Sequence, residues 1–369
     1  MNLEYRPIIY RLNVPEDEKS FEDLTSNTKD IKLYDTIYSQ LSELVKLLNP
    51  GTTCKDDIDR LVADHVHATD LNKYGVWVYY PWSKNLVHLL DEDEFIKVRT
   101  NRNIYKIMPE EIETLGKKKI GIIGLSVGQS IAMTLALERT CGELRLADFD
   151  DIELSNMNRI RAGVQDLGMS KVVLAARQIA ELDPYIKVKC FTEGLTNGNI
   201  SDFFTSDGKI DVLIEECDGL EIKVLSRVVA KELRVPVVMD TNDRGMLDVE
   251  RFDLEPDRPI FHGRTEGLEG LSSNELVVML KGLTIEKKIA FLAQIIGMEN
   301  VSSAMKQSLA NMNKTIIGWP QLASAVTLGG AMVTDTCRKI LLDQFKASGR
   351  FFIDFDEIIK EKNKEIEVN

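Results

Sequence analysis

The chain has 369 residues, room for two or three domains and for one large buried core. It carries 59 acidic against 46 basic residues, a formal net charge of −13. That balance argues against a nucleic-acid or anionic-membrane surface, because phosphate binding needs clustered Lys and Arg to release counterions.

The opening "MNLEYRPIIYRLNVPEDEKS" is charged throughout and has no apolar run, so no signal peptide is expected. Residues 1–115 form an accessory region of helices and short strands. Within it, "LYDTIYSQLSELVKLLN" shows apolar residues at helical spacing and stops at Pro50-Gly51. "GVWVYYPWSKNLVHLL" is rich in aromatic and β-branched residues and broken at Pro81, which predicts a hairpin or two short strands. Its aromatic stretch at 77–82 suits either core or a docking face.

Residues 116–369 change pattern. "KKIGIIGL" is an apolar strand, "IAMTLALERTC" a helix, and "ELRLADFD" a second strand ending in acids. "SKVVLAARQIAEL", "KVKCF", "DVLIEECD", "IKVLSRVVAKELR" and "VPVVMDT" continue the alternation as helix, strand, strand, helix and strand. Strands alternating with helices of about 12 residues predict right-handed βαβ units and a parallel sheet covered on both faces. Beyond residue 245 come strand-like pieces and a helical region from about 272 to 312. A long helix around 321–346 and a last strand, "GRFFIDFDEI", close the chain. The pair Gly329-Gly330 in that helix signals close packing. Residues 120–137 carry no charge, but their glycines and Gln129-Ser130 suit a buried strand–turn–helix rather than a membrane span.

Five cysteines, Cys54, Cys141, Cys190, Cys217 and Cys337, are widely spaced with no C-x-x-C, so reduced thiols in a cytoplasmic protein are expected. Cys141 and Cys190 fall at strand positions, and Cys54 is in a loop. His65 and His67 stand two apart on a helical stretch, which does not bring them to one ion.

Ligands of an open parallel sheet bind beyond the carboxyl ends of its strands. The first turn there spans Gly124 to Gly128, with Ser126 between the glycines. Glycines let backbone approach a phosphate, and the next helix offers free N–H groups. Asp148, 24 residues after Gly124, ends the second strand where an acid accepts from ribose hydroxyls. On these two features alone, an NAD-dependent oxidoreductase is as good a guess as any other nucleotide protein.

The stretch "ADFDDIELSNMNRIRAGVQDLGMSK" is more specific. Its D-x-D, S-N-x-x-R and following lysine are Asp148, Asp150, Ser155, Asn156, Arg159 and Lys171. In this order they resemble the ThiF/MoeB superfamily of adenylating enzymes, which includes the ubiquitin-activating proteins. The resemblance covers about 250 residues, from Lys117 on. It implies an α/β fold: a Rossmann-like, doubly wound, mostly parallel sheet, here with an added α+β N-terminal region. It also implies ATP- and Mg²⁺-dependent adenylation of a carboxylate, usually the C-terminus of a ubiquitin-like or sulfur-carrier protein or a peptide. Gly124, Ser126, Gly128, Asp148, Asp150, Asn156, Arg159 and Lys171 would then bind the nucleotide. Arg159 and Lys171 would stabilise charge at the phosphorus, and Asp218, at the end of the fourth strand, would hold Mg²⁺. "VRTNRNIYKI" matches the family's R-x-x-R lead-in and makes Arg102 an arginine finger, supplied across a homodimer in many relatives; Arg99, one turn away, is the alternative.

The chain departs from the family pattern in three ways. The zinc-binding C-x-x-C pairs are missing, so no zinc is expected. No cysteine occurs between residues 241 and 336, where relatives that form a thioester carry one. The glycine loop is one residue shorter than usual, with Ser126 near a family glycine. These departures keep a non-catalytic scaffold of the same fold as the alternative. Asn242, Asp243 and Arg244, at the end of the fifth strand, face the site and are candidate substrate contacts; the resemblance adds His262, which follows the strand pair where substrate tails pass in relatives, with an ordinary loop role as its alternative.

Overall fold

A computed structural model describes residues 4–265, 273–312, 314–318 and 320–359. By its contacts the chain divides into Met1–Glu113 with Ala176–Lys187, and Thr114–Ala175 with Val188–Asn369.

The first unit runs β1 (Ile8–Tyr10), α1 (Pro15–Asn27), β2 (Lys32–Asp35), α2 (Ile37–Leu48), α3 (Lys55–Val66), β3 (Val76–Tyr80), β4 (Asn85–Leu89), α4 (Glu92–Thr100) and α5 (Pro109–Leu115). Its four strands lie in the order β1-β3-β4-β2. The hairpin expected around Pro81 is β3 and β4, paired antiparallel from Val76↔Leu89 to Tyr80↔Asn85. All five residues of β3, "VWVYY", are buried, so Trp77–Tyr80 of the 77–82 stretch is core, while Pro81 and Trp82 are only half-buried. Apolar positions of α2 and α3 (Ile37, Leu41, Leu44, Ile58, Val62) form a second cluster with Leu90. Segment 176–187 joins this unit through specific bonds. The Tyr80 hydroxyl donates to the Ala180 carbonyl at 3.2 Å, and the Tyr185 hydroxyl to the Leu90 carbonyl at 2.7 Å.

The second unit runs β5 (Lys119–Ile123), α6 (Leu125–Glu138), β6 (Glu143–Ala147), α7 (Lys171–Leu182, whose residues from Ala176 on count with the first unit), β7 (Lys187–Phe191), α8 (Ile200–Thr205), β8 (Val212–Glu215), α9 (Leu220–Glu232), β9 (Val237–Thr241) and β10 (Met246–Glu250). There follow α10 (Ser273–Lys281), α11 (Ile285–Ile296), α12 (Ser303–Asn311), α13 (Ala323–Leu341), β11 (Gly349–Phe352) and α14 (Phe355–Ile358). The seven strands lie in the order β11-β10-β9-β8-β5-β6-β7. Pairs β5–β6, β5–β8 and β8–β9 are parallel, and β9–β10 and β10–β11 antiparallel. This is the doubly wound α/β sheet that the alternation of strands and helices predicts, with an antiparallel edge added. The chain order reverses between β5 and β8, and a crevice opens at such a switch point, outside the carboxyl ends of the strands.

Three local expectations are corrected. The first helix begins at Leu125, directly after Gly124, so the turn is one residue rather than the five from Gly124 to Gly128. The last strand stops at Phe352, because Asp354 caps a short helix by accepting from the Asp356 N–H. Cys141 is buried in the turn before β6, not in a strand. Among the described residues no helix is long and apolar enough to cross a membrane.

Candidate active site

Register brings the site together. Ile123 pairs with Ala147 on one side and with Glu215 on the other, so Gly124, Asp148 and Glu216 leave three neighbouring strands at one level. Gly124 has φ +86°, and a Cβ there would come within 2.6 Å of the Glu216 carbonyl oxygen. Only glycine meets both demands. No side chain of Gly124 caps α6; Asp148 does so from the next strand, its Oδ2 accepting from the Leu125 N–H at 2.6 Å. Its Oδ1 accepts from the Asp150 N–H at 2.8 Å. Burial raises the Asp148 carboxyl, while these N–H groups and the Lys171 charge oppose the rise. Gly128 lies within α6, where a Cβ would meet Ile122 Cγ2 at 2.8 Å, so its smallness serves helix–sheet packing.

The loop after β6 delivers the cations. Asn156 is buried in a helical turn, its Oδ1 accepting from the Glu153 N–H at 3.1 Å. One turn on, the Arg159 guanidinium donates to Ser126 Oγ through Nε at 3.1 Å and Nη2 at 2.7 Å. Its Nη1 donates to Asn158 Oδ1 at 2.8 Å. Lys171, only 6% exposed, opens α7 and pairs its Nζ with Asp150 Oδ2 at 2.7 Å. The second acid of D-x-D is therefore the partner of the lysine. Burial lowers the Arg159 guanidinium, and the exposed Asp218 carboxylate, three residues past β8, pulls it back up. Asp148, Asp150, Asn156, Arg159, Lys171, Ser126 and Asp218 thus gather at the carboxyl ends of β5, β6 and β8.

Beneath them lies a layer that the motif series does not contain. Glu215 is fully buried, accepts from the Cys217 N–H at 2.9 Å, and binds Lys223 Nζ through both oxygens at 2.9 Å and Arg227 besides. Burial alone would raise its carboxyl, but the two cations outweigh burial and hold it at about 2. Glu216 accepts from the Asp240 N–H at 2.8 Å and is pushed well up by burial and by the charge of Asp240. Asp240 itself is raised to about 7 by burial, and neither carboxylate oxygen has a hydrogen-bond partner. The signal is visible in "LIEECD", two consecutive acids where an apolar strand ends. Cys217, beside them, is raised well above its usual range by burial and then by Glu215, which opposes thiolate chemistry there.

Several of the other candidates are bound to partners of their own. Arg102 is exposed in the turn Asn101–Asn103 of the first unit, and Arg99 faces buried Asp183 at 3.6 Å. Asp243 accepts from the Ser302 N–H at 2.8 Å and its hydroxyl at 2.7 Å, and Arg244 pairs with Asp354 at 2.7 Å. His262 bridges Asp248 and Arg258 from a turn whose Phe261 and His262 both have positive φ. Asn242 leaves its buried Oδ1 without a partner. His65 pairs with Glu94 at 2.7 Å. Among the described residues no group of three or more His, Cys, Asp or Glu is arranged to hold a metal.

Residues 99–318 match the ThiF family. The chain is 45% identical over 278 residues to an uncharacterized protein, MT1398, of Mycobacterium tuberculosis (strain CDC 1551 / Oshkosh), covering 75% of this chain and 38% of that protein. It is 25% identical to the tRNA threonylcarbamoyladenosine dehydratase of Bacillus subtilis (strain 168), over 42% of this chain and 60% of the relative. It is 25% identical to ubiquitin-like modifier-activating enzyme 5 of Caenorhabditis elegans, over 33% of this chain and 31% of that enzyme. In each case the chain spans less than two thirds of the relative's own length. The matched segment takes in Gly124, Ser126, Asp148, Asp150, Asn156, Arg159, Lys171, Asp218 and Asp240. The chain belongs to the ThiF family.

Proposed function

We propose that the chain binds ATP at the carboxyl ends of β5, β6 and β8 and adenylates a carboxylate, releasing pyrophosphate. The observation that supports this most is the convergence of two cations, Arg159 and Lys171, on the mouth of a turn that only glycine can form, with Asp148 beside it. Membership of the ThiF family adds weight, as does the likeness to a ubiquitin-like modifier-activating enzyme. The carboxylate would be the C-terminus of a carrier protein or of a peptide. A second copy of the chain would supply Arg102 in a homodimer.

In this reaction a carboxylate oxygen attacks the α-phosphorus, the P–O bond to pyrophosphate breaks, and negative charge grows on the non-bridging and leaving oxygens. Catalysis of that step is mainly positioning and fixed positive charge. Arg159 and Lys171 supply the charge, and Asn156 an uncharged donor. Asp148 fixes the helix start toward which the phosphates lie. A lone exposed Asp218 fits Mg²⁺, which takes one or two carboxylates and completes its shell with phosphates and waters. When bound, the ion would neutralise phosphate charge.

ATP–pyrophosphate exchange tests the proposal, with magnesium and candidate carrier tails or peptides as substrates. Exchange that depends on a carboxylate substrate is expected. Absence of both exchange and ATP binding would overturn it.

A further inference from the structure

We propose that Ser126 is a positioning residue that grips Arg159 and, because of that grip, turns its own hydroxyl proton toward a phosphate oxygen. This rests on the adenylation function proposed above. The Nε and Nη2 of Arg159 both donate to Ser126 Oγ, at 3.1 and 2.7 Å. A serine hydroxyl has two acceptor lone pairs and one proton. With both lone pairs filled, donation is the one role left to the hydroxyl, and the attached cation polarises the O–H and strengthens it as a donor.

The first turns of α6 grip the same segment a second time. Gln129 donates from Nε2 to the Arg161 carbonyl at 3.0 Å and accepts at Oε1 from the Arg161 N–H at 2.8 Å. Ser126 and Gln129 stand three apart on one helical face, and Gln129 is 2% exposed. Residues 159–161 are thereby fastened to the helix start by four hydrogen bonds, two from each side chain. Four bonds also occupy the guanidinium itself: two to Ser126, one to Asn158 and one to the Ser155 carbonyl. Of its five N–H groups, most are spent on the protein. The Ser126 hydroxyl is then the route by which much of the Arg159 charge acts on a bound oxyanion. A glycine loop has no side chain to do this, so the serine and the glutamine replace reach of backbone with a held cation.

The test uses the whole chain with ¹⁵N-labelled arginine, in wild type, Ser126→Ala, Ser126→Thr and Gln129→Leu. The Arg159 Nε–H exchanges slowly with solvent in wild type and Ser126→Thr, and fast in Ser126→Ala. ATP–pyrophosphate exchange falls about 10- to 100-fold in Ser126→Ala, as expected for loss of a charge-assisted hydrogen bond. KM for ATP rises about tenfold with loss of the contact to the bound phosphate, any further fall lies in kcat, and Ser126→Thr restores both. Gln129→Leu lowers kcat while leaving the Nε–H slower to exchange than in Ser126→Ala. Equal kinetics in Ser126→Ala and wild type, or a wild-type Nε–H as labile as that of an exposed arginine, overturns the proposal. A wild type that binds ATP without exchange overturns the adenylation function alone. The ATP affinity of Ser126→Ala then decides, about tenfold weaker supporting Ser126 and equal affinity refuting it.

Discussion

At Gly124 a single methyl group decides whether the sheet can hold its helix. The residue sits at φ +86°, and its missing Cβ would lie 2.6 Å from one backbone oxygen and 2.9 Å from the Cys217 nitrogen. Backbone atoms held just past the end of the central strand β8 cannot give way as a side-chain tip can. Gly124→Ala is therefore expected to destabilise the protein by about 1–3 kcal/mol, from strain at positive φ and from the close approach together. Chemical denaturation measures it, and a change under about 0.5 kcal/mol would show that the turn adapts. Lys171 makes the opposite kind of prediction. Its Nζ is held by Asp150, whose side chain is half exposed. Lys171→Met keeps the apolar stem and removes only charge. Stability is expected to change little, whereas exchange activity is expected to fall roughly 10²- to 10³-fold, the usual effect of removing one fixed donor. A melting scan beside the exchange assay separates the two. The order of Asp148, Asn156, Arg159 and Lys171 was legible because motif spacing is a property of the chain. Their pairings were not. That Asp150 takes Lys171 and Ser126 takes Arg159 depends on side-chain directions that sequence spacing leaves open.

Among the elements, α6 and α13 show how far pattern reading reaches. The alternation of apolar strands with helices yielded the doubly wound sheet, since period and length are local signals. The sequence pattern starts α6 only after Gly128, because the N–H of Leu125 is capped by Asp148, 23 positions away, rather than by a neighbour. The Gly329-Gly330 pair signals close packing, and it is close on two sides. A Cβ at Gly329 would fall 2.0 Å from Asp240 Oδ2, and one at Gly330 2.7 Å from Ser130 Oγ. So α13 lies against β9 with one glycine and against α6 with the next. Gly329→Ala is expected to cost about 1–3 kcal/mol by overpacking. Asp240→Ala vacates the space, so the double variant Gly329→Ala/Asp240→Ala recovers part of that loss. Additive costs in a double-mutant cycle would show that the two residues are not in contact.

For the molecule as a whole, the buried acids set the dependence of stability on pH. Asp240 is raised from 3.8 to about 7 by burial, and Glu216 moves the same way. A raised acid binds more protons in the folded than in the unfolded state across that window. Its favourable contribution is complete below about 4 and is lost as pH rises through about 7. Glu215 acts in the reverse sense. Held at about 2 by Lys223 and Arg227, it stabilises the fold above its unfolded value near 4.5 and loses that contribution as pH falls toward 2. The two kinds of acid oppose each other around pH 4 to 5, and above that the raised acids dominate. Thermal stability of the wild type is therefore expected to decline from pH 5 to pH 8. Asp240→Asn removes one of the two titrations and keeps the volume. Its stability is expected to fall less over the same range, so that it exceeds the wild type at pH 8 by an amount on the order of 1–3 kcal/mol and by much less at pH 5. Denaturant midpoints at pH 5, 6, 7 and 8 for both chains provide the comparison. Parallel curves would mean that Asp240 stays ionised in the fold, and a donor to its unpartnered oxygens would then have to be sought in the space between β9 and α13.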